Sequence, residues 1–374
     1  MLLAALARLV ERQACGVKRK PPYVVSPEAR ALHARLLVAD LHADPLMWDR
    51  DLLIRNTHGH VDVPRLIDGG VALQVFSTVT HAPHGINIRR NPTNRPDMIT
   101  GLALAKGWPE AARANRLERA LHQARALEGA CARSKDLLTR IRSRTDLNAY
   151  LARRTPGVTA GLLSIEGAQA FDGRLESIDV LFDAGVRMVG LTHFVDNEVG
   201  GSASGESKGG LTDFGRAALR KMEDKGIVVD LAHASPRLVD DVLAEGRTPP
   251  VVSHTGACAA CPNERNLTDA QLGAIAEKRG LVGVGFWKIA TCGDDADAIA
   301  RSLLAVAKGA GPLCVALGSD FDGAVTAPFD ASGVPLITEA LLRARVPEED
   351  IALMMGGNAL RFLAERLPPL DGGK

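Results

Sequence analysis

Several residue types that bind divalent metal ions close or follow short apolar runs in this sequence. These residues are His42, Asp44, Glu166, His193, His233, His254 and Asp320. Imidazole nitrogens combined with carboxylate oxygens are typical ligands of zinc, whereas magnesium and calcium prefer oxygen ligands alone. One histidine in such a position is more often a structural, hydrogen-bonded residue, but a repeated pattern is not expected by accident. The sequence therefore predicts a zinc site.

The spacing of these residues predicts two ions rather than one. His42 and Asp44 are two positions apart, so on an extended backbone their side chains point the same way and can hold one ion. His233 and His254 follow neighbouring runs and can hold a second ion, and Glu166 can bridge the two. A pair of ions lowers the pKa of a shared water, so that a metal-bridging hydroxide forms near neutral pH, and polarises the carbonyl under attack. This pattern is typical of a metal-dependent hydrolase.

Hydrolysis of an amide also needs a proton donor for the leaving nitrogen. Asp320, in the segment 318–323, is the candidate acid/base, and Asp322 is the alternative that the sequence alone does not separate from it. His193 has no obvious metal partner and could donate a hydrogen bond to the developing oxyanion. Arg265 could form two hydrogen bonds with a substrate carboxylate, although a solvated surface arginine is an equally good interpretation.

The apolar runs themselves predict the fold that must position these residues. Continuous apolar runs of this length suit parallel strands buried on both faces, and segments with helical spacing lie between them. The eight runs are residues 36–42, 72–77, 161–166, 186–193, 226–233, 250–254, 281–286 and 313–320. Eight strands that alternate with helices predict an α/β protein with a (β/α)₈ TIM barrel, in which the carboxyl ends of the strands converge on one face. A doubly wound sheet is the alternative, but no GxGxxG motif follows the first strand.

The chain of 374 residues is predicted to form a single domain, residues 1–374. The barrel spans about 34–366, and a helical insertion at about 96–154 separates the second and third strands. Residues 1–33 form a helical extension at the N-terminus. The glycine-rich segment 200–210 is predicted to be a flexible loop over the mouth of the site.

Composition excludes several classes of protein. The formal charge is +1 and aromatic residues make up 4%, so neither a basic nucleic-acid surface nor a stacking platform is expected. Six cysteines are too few for a disulfide scaffold, and the lone CxxC pair, Cys258 and Cys261, is interpreted as two plain loop cysteines. The apolar N-terminus is interrupted by Arg8 and Glu11 and is too short for a transmembrane helix. We therefore expect a cytoplasmic protein without a membrane span, and the alternative is an exported form with a weak or truncated leader.

The motifs that carry these residues resemble those of the membrane (renal) dipeptidase family of zinc peptidases. The matching segments are Asp40-Leu-His-Ala-Asp44, Ser164-Ile-Glu-Gly167, Gly190-Leu-Thr-His193, Gly209-Gly-Leu-Thr-Asp-Phe-Gly215, Val229-Asp-Leu-Ala-His-Ala-Ser235, Val252-Ser-His254, Asn263-Glu-Arg-Asn266 and Gly318-Ser-Asp-Phe-Asp-Gly323. They occur in order along nearly the whole chain. The sequence departs from the family pattern in the loop 194–200 and at Ala168 and Gln169, which replace a usual glycine and histidine.

The resemblance implies a (β/α)₈ barrel, two zinc ions per chain, a dipeptide substrate and a homodimer. It implies that His42, Asp44 and Asp320 bind one zinc, that His233 and His254 bind the other, and that Glu166 bridges them. It further implies that His193 and Arg265 contact the substrate and that Asp320, rather than Asp322, is the acid/base. The alternatives are a related amidohydrolase acting on another small amide, a lactone or a phosphoester, and a non-catalytic binding protein on a decayed barrel.

Overall fold

The computed structural model describes residues 2–369, and their side chains from residue 7 onward. All nine strands in this part of the chain belong to one parallel sheet. The strands are β1 (Val38–Ala43), β2 (Val71–Val79), β3 (Leu138–Ile141), β4 (Thr159–Glu166), β5 (Val186–Gly190), β6 (Val228–Asp230), β7 (Val251–Thr255), β8 (Leu281–Val284) and β9 (Val315–Leu317). Eight of them correspond to the eight apolar runs of the sequence.

The sheet closes into a barrel. Its strand order is β2-β1-β9-β8-β7-β6-β5-β4, and β4 also pairs with β2 over seven residues, which closes the circle. Every position of the long strands β1, β2 and β4 is buried, as expected for parallel strands covered on both faces. The predicted TIM barrel is therefore confirmed.

Helices surround the barrel and connect its strands. They are α1 (Leu2–Ala14), α2 (Pro27–His33), α3 (Val63–Asp68), α4 (Met98–Lys106), α5 (Glu110–Ala114), α6 (Arg116–Arg133), α7 (Arg144–Arg153), α8 (Glu176–Asp183), α9 (Asp213–Asp224), α10 (Pro236–Glu245), α11 (Asp269–Glu277), α12 (Lys288–Thr291), α13 (Ala296–Ala310), α14 (Pro335–Arg343), α15 (Glu348–Ala352) and α16 (Asn358–Arg366). Short 3₁₀ turns occur at Pro45–Trp48, Ala168–Phe171, Pro312–Cys314 and Ala331–Gly333, and a π-turn occurs at Leu353–Gly357. Within residues 2–369, no helix is both long and apolar enough to cross a bilayer.

The segment between β2 and β4 is not wholly helical, which corrects the expectation for residues 96–154. Helices α4 to α7 lie there, but β3 interrupts them and pairs in parallel with the first half of β4. The pairing buries Leu138 and Ile141 at the two ends of β3, while the two residues between them stay half-buried. A four-residue strand with two apolar positions is too short to show a period in a charged stretch of sequence.

The strand ends that carry the candidate site pack very closely. A Cβ atom built on Gly318, just after β9, would lie 1.8 Å from the carbonyl oxygen of Ser253 and 3.1 Å from the Cα atom of His254 in β7. A Cβ atom on Gly283 in β8 would lie 2.1 Å from the same carbonyl oxygen. The glycines therefore allow three neighbouring strands to approach at the end where His254 and Asp320 lie.

We predict that Gly318→Ala lowers the free energy of unfolding by about 2 kcal/mol or more, because the methyl group must displace the backbone of β7. Gly273→Ala is the matched control, since a Cβ atom there meets no other atom within 4 Å and the residue lies inside α11. We expect that control to be neutral or stabilising by a few tenths of a kcal/mol. Urea unfolding of the two variants is the measurement, and equal effects would contradict the close-packing argument.

Candidate metal centre and active site

The Nε2 atoms of four histidines converge on one carboxylate. Oε1 of Glu166 lies 3.0 Å from Nε2 of His233, 3.4 Å from Nε2 of His254 and 3.6 Å from Nε2 of His42. Oε2 of Glu166 lies 3.3 Å from Nε2 of His193. All five residues are buried. Glu166 therefore has the central position that a bridging ligand requires.

The candidate ligands form overlapping groups around Glu166. The ligand atoms of His42, Asp44 and Asp320 all lie within 4.8 Å of one another, and Nε2 of His42 is 3.3 Å from Oδ2 of Asp44. The same limit holds for His42, Glu166 and His254, and the Nε2 atoms of His233 and His254 are 3.0 Å apart. The structure thus brings all six predicted ligands together, and their division between two ions and their binding of metal stay predictions.

Polar atoms without partners show that this residue set fits divalent cations. Among the described residues, Nε2 of His42 and both carboxylate oxygens of Asp44 are buried and have no hydrogen-bond partner. A buried polar atom without a partner costs free energy, and a buried unpaired charge costs more. Cations bound between these atoms and Glu166 would offset both costs.

The electrostatics of the cluster point the same way. Burial, followed by repulsion from Asp44, raises the pKa of Glu166 well above its usual range. Burial, with a further contribution from Asp44, raises the pKa of Asp320 to about 8. Burial lowers the pKa of His193 to about 3, and it lowers the pKa values of His233 and His254 well below their usual range. Neutral imidazoles present the lone pairs that a metal ligand needs.

The second ring nitrogens of two histidines contact groups outside the cluster. Nδ1 of His254 lies 2.9 Å from the hydroxyl of Ser253, and Nδ1 of His193 lies 3.1 Å from the carbonyl oxygen of His81. Because a carbonyl only accepts, Nδ1 of His193 carries the proton, and its neutral ring turns a lone pair toward Glu166. The predicted oxyanion-donor role of His193 therefore requires a second proton on Nε2.

Two buried aspartates that the sequence analysis did not assign to the site hold neighbouring strand ends together. Asp40 in β1 accepts hydrogen bonds from the backbone N–H (2.8 Å) and the hydroxyl (2.6 Å) of Ser319. Asp230 at the end of β6 accepts one from the backbone N–H of Ser253 in β7 (2.8 Å). Their spacing in the sequence could have indicated this role, because Asp40 precedes His42 by two positions and Asp230 precedes His233 by three.

Two site residues have left-handed backbone conformations. The φ angles are 64° at His233 and 59° at Asp320, a region that costs free energy for residues other than glycine. Both lie in loops after their strands, rather than closing the strands as the sequence suggested. The carbonyl of His233 accepts a hydrogen bond from Ala203 N–H (2.8 Å), and Asp320 N–H donates to the carbonyl of His42 (3.1 Å). These contacts hold the strained residues in place.

The glycine-rich segment 200–210 supports the site from outside. The hydroxyl of Ser202 donates to the carbonyl of His193 at 2.5 Å, and the carboxylate of Asp196 accepts backbone hydrogen bonds from Ser202, Glu206 and Ser207. Residues 200–204 are buried. The prediction of a flexible loop over the mouth is therefore wrong: residues 200–210 do not line the cavity, and Gly201 lets the loop pack closely against its own backbone at Gly209.

The structure separates Asp320 from Asp322, which the sequence did not. Asp322 forms an ion pair with Arg50 and accepts hydrogen bonds from the backbone N–H groups of His60 (2.8 Å) and Val61 (3.0 Å). Although burial opposes it, these partners hold the pKa of Asp322 below its usual range. Asp322 is thus a structural ion, and Asp320 is the one that lines the cavity.

Arg265 lies in the same cavity and is buried. Its Nη2 atom donates to the carbonyl oxygen of His254 at 3.0 Å, and its guanidinium lies 5.8 Å from the ring of Trp287. Among residues 2–369, this is the only hydrogen bond that the guanidinium donates, so other N–H groups are free for a ligand. The interpretation as a surface arginine is therefore wrong.

A disulfide joins the loop that carries Arg265 to the next loop of the barrel. Cys261 is bonded to Cys292, which follows α12, while Cys258 is a free thiol. The prediction of two plain loop cysteines thus fails for Cys261. The two bonded residues are 31 positions apart and in different loops, so no spacing in the sequence indicated the bond.

A cavity of about 690 Å³ opens onto the cluster. Its deep, polar part is formed by Asp44, Glu166, His193, His233, Arg265 and Asp320. This volume lies in the range of small-molecule sites. The convergence of candidate ligands, a carboxyl group with a raised pKa and a buried arginine in one cavity indicates an active site.

The sequence profile of the membrane dipeptidase family, peptidase family M19, matches residues 26–366. This chain belongs to that family. Over 221 residues it is 34% identical to dipeptidase aclJ of Aspergillus oryzae, an alignment that covers 56% of this chain. The chain spans about half (52%) of the length of that curated relative.

Solved structures share the fold of this M19 family member. The probable dipeptidase PvdM of Pseudomonas aeruginosa superposes with a TM-score of 0.75 at 18% identity, covering 91% of this chain and 98% of that one. A metallopeptidase of Rhodobacter sphaeroides, solved with a phosphinate mimic of the dipeptide L-Ala-D-Ala, superposes with a TM-score of 0.69 at 24% identity, covering 89% and 99%. At these identities the likeness shows the fold alone.

We predict that the metal-free M19 protein loses stability between about pH 7 and pH 9, whereas the zinc-loaded protein does not. The pKa of Asp320 is raised to about 8, so its contribution to stability is complete below the unfolded value near 4 and is lost as pH rises through 8. Histidines with lowered pKa values change the stability with pH only below about pH 7, because above it they are neutral in both the folded and the unfolded protein. One such group costs about 1.4 kcal/mol over this range, so the melting-temperature difference between loaded and metal-free protein should grow by about 2 °C.

The matched variant for this experiment is Asp320→Asn, which removes the titrating carboxyl group. The metal-free variant should lose less stability over the same pH range than the metal-free parent. A loss that is identical in the two proteins would show that Asp320 is not the group responsible.

Proposed function

We propose that this protein is a binuclear zinc-dependent hydrolase that cleaves the peptide bond of dipeptides. The single observation that carries the proposal is the buried cluster of four imidazoles and three carboxylates around Glu166, which opens into a cavity with a buried arginine. Membership of the membrane dipeptidase family and the similarity to a protein named dipeptidase aclJ support it.

The proposal divides the candidate ligands into two sets. His42, Asp44 and Asp320 would hold one zinc ion and His233 and His254 the other, with Glu166 shared between them. When bound, such a pair of ions supplies a nucleophilic water with a lowered pKa and polarises the carbonyl that is attacked. Three buried carboxylates repel one another, and the positive charge of two divalent ions would offset that repulsion.

Asp320 is the residue proposed to move the proton. Its carboxyl group is buried and lines the cavity, where it can take up and release a proton. The hydrogen bond from its backbone N–H to the carbonyl of His42 holds the left-handed backbone at Asp320. The carboxyl group would accept a proton from the attacking water and deliver it to the leaving amine nitrogen.

Arg265 is the residue proposed to recognise the substrate. A buried guanidinium with free N–H groups can donate two parallel hydrogen bonds to a carboxylate, which is the group that every free dipeptide carries at its C-terminus. Its contact with the carbonyl of His254 fixes one edge of the guanidinium next to the cluster. A carboxylate bound there would hold the peptide bond close to Asp320.

We predict that the purified protein binds about two zinc ions per chain and hydrolyses dipeptides, and that a chelator abolishes the activity. His233→Ala should lower the zinc content toward one ion and reduce kcat by about 100-fold or more, because it removes a ligand that lies 3.0 Å from Glu166. Elemental analysis and a dipeptide panel are the measurements. His84→Ala, an exposed histidine outside the cluster, is the control and should retain both ions.

Full activity of metal-free protein would contradict this mechanism. A panel that also contains a lactone and a phosphoester separates the proposal from the related amidohydrolase activities. Hydrolysis of one of those compounds, with no cleavage of any dipeptide, would replace the dipeptidase proposal with that alternative.

We predict that Arg265→Ala raises KM for dipeptides by about 100-fold and changes kcat far less, since it removes a charge-assisted pair of hydrogen bonds to the carboxylate. For dipeptide amides, which lack the carboxylate, the same substitution should change kcat/KM little. The measurement is kcat/KM for matched acids and amides in the parent and the variant. Equal losses for acid and amide would show that Arg265 does not bind the carboxylate.

The homodimer and the cytoplasmic location stay predictions. The disulfide between Cys261 and Cys292 is a reason to test the location, because disulfides persist mainly in oxidising compartments.

A further inference from the structure

The cavity is larger than a small dipeptide requires. At about 30 Å³ for each water-sized group, its volume of about 690 Å³ accommodates on the order of twenty groups, roughly twice the eleven non-hydrogen atoms of alanylalanine. The polar residues of the active site form only its deep part. Most of the remaining lining is apolar, so the excess space is not suited to water or to a charged group.

Part of the apolar lining, here called the wall, comes from two helices that are not part of the barrel. Helix α1 contributes Ala7 and Val10, and helix α4, which belongs to the insertion between β2 and β4, contributes Met98, Ile99 and Leu102. The wall shares one cavity with Arg265 and Asp320. A group that packs on the wall is therefore part of the molecule that reacts.

Buried ion pairs fix α1 in this position. Glu11 is fully buried, and its carboxylate lies 3.0 Å from Nε of Arg50, 3.2 Å from Nζ of Lys106 and 3.3 Å from Nε2 of His58. Lys106 is the last residue of α4, so the same carboxylate joins the two helices of the wall. Separating such a buried ion pair would leave an uncompensated charge in the interior, which is costly. The two helices are therefore held in fixed positions, and so is the wall that they form.

Apolar side chains are also exposed around the mouth of the cavity. Val10, Ile86, Met98 and Ile289 all line it, and their exposed fractions are 46%, 39%, 45% and 41%. Single exposed apolar residues are ordinary, but a group of them around one opening indicates an apolar binding partner.

We propose that the substrates are dipeptides with a bulky apolar side chain, of leucine size or larger, that packs against the wall formed by α1 and α4. The inference rests on the proposed dipeptidase function and adds the substrate class. It makes Val10 and Leu102 specificity-determining residues, contributed by helices outside the barrel that holds the metal ligands.

The test uses the zinc-loaded full chain and two series of dipeptides, Gly-Xaa and Xaa-Gly, with alanine, leucine or phenylalanine as Xaa. In one of the two series, kcat/KM should be about tenfold or more higher for the leucine or phenylalanine member than for the alanine member, because each additional buried methylene favours binding. This ratio within one series is the readout.

Leu102→Gln and Val10→Gln place polar atoms in the wall without adding charge and should lower that ratio to about threefold or less. Leu104→Gln, on α4, and Val180→Gln, on α8, are the matched controls, because these residues are 52% and 43% exposed and do not line the cavity. Zinc content verifies that each variant keeps its metal centre, and two independent test positions guard against one misfolded variant.

A ratio near one in both series, with the alanine dipeptides hydrolysed, would overturn this inference and leave the dipeptidase function standing. A high ratio that survives both wall variants would also overturn it. If no dipeptide of either series were hydrolysed, the result would contradict the proposed function and therefore also this inference.

Discussion

The burial of three carboxylates in one cluster is the constraint on which the site depends. Burial is the main cause of the raised pKa values of Asp44, Glu166 and Asp320, and repulsion from Asp44 adds to the shifts of the other two. The charge of His42 opposes the shifts of Glu166 and Asp320, whereas burial keeps His193, His233 and His254 neutral. Protons can satisfy such a cluster only by neutralising it, whereas divalent cations satisfy it in its ionised form. Bound divalent cations would therefore stabilise the ionised cluster at neutral pH.

The barrel resists this repulsion with contacts that are individually ordinary. Asp40 joins the end of β1 to the loop after β9, and Asp230 joins β6 to β7. Each of these carboxylates accepts backbone hydrogen bonds, so it holds two neighbouring strand ends at one distance. Gly318 permits the close approach of β9 to β7 that a side chain would prevent. The proposed ligands come from the ends of five different strands, and this cross-strand network fixes their separation.

The sequence predicted the barrel and the ligand set because both leave a signal within one segment. A buried parallel strand is a continuous apolar run, and a ligand such as Glu166 stands at its end. What the sequence missed depends on contacts between distant segments. The Cys261–Cys292 bond, the pairing of β3 with β4 and the ion pair of Asp322 with Arg50 each depend on a partner in another segment. The prediction for the loop 200–210 failed for a related reason, because glycine allows close packing of the backbone as readily as it allows mobility.

The metal centre and the apolar wall arise from different parts of the chain, yet one buried cation connects them. Arg50 contacts Glu11 of α1 on one side and Asp322 on the other, and Asp322 lies two residues after Asp320. Both carboxylates are fully buried, and loss of Arg50 would take a cation away from each of them. The same guanidinium therefore stabilises the helix that borders the cavity and the turn that carries the proposed acid/base. Side chains on the wall can change without disturbing this link, whereas Glu11 cannot, which separates the residues free to set specificity from those that maintain the site.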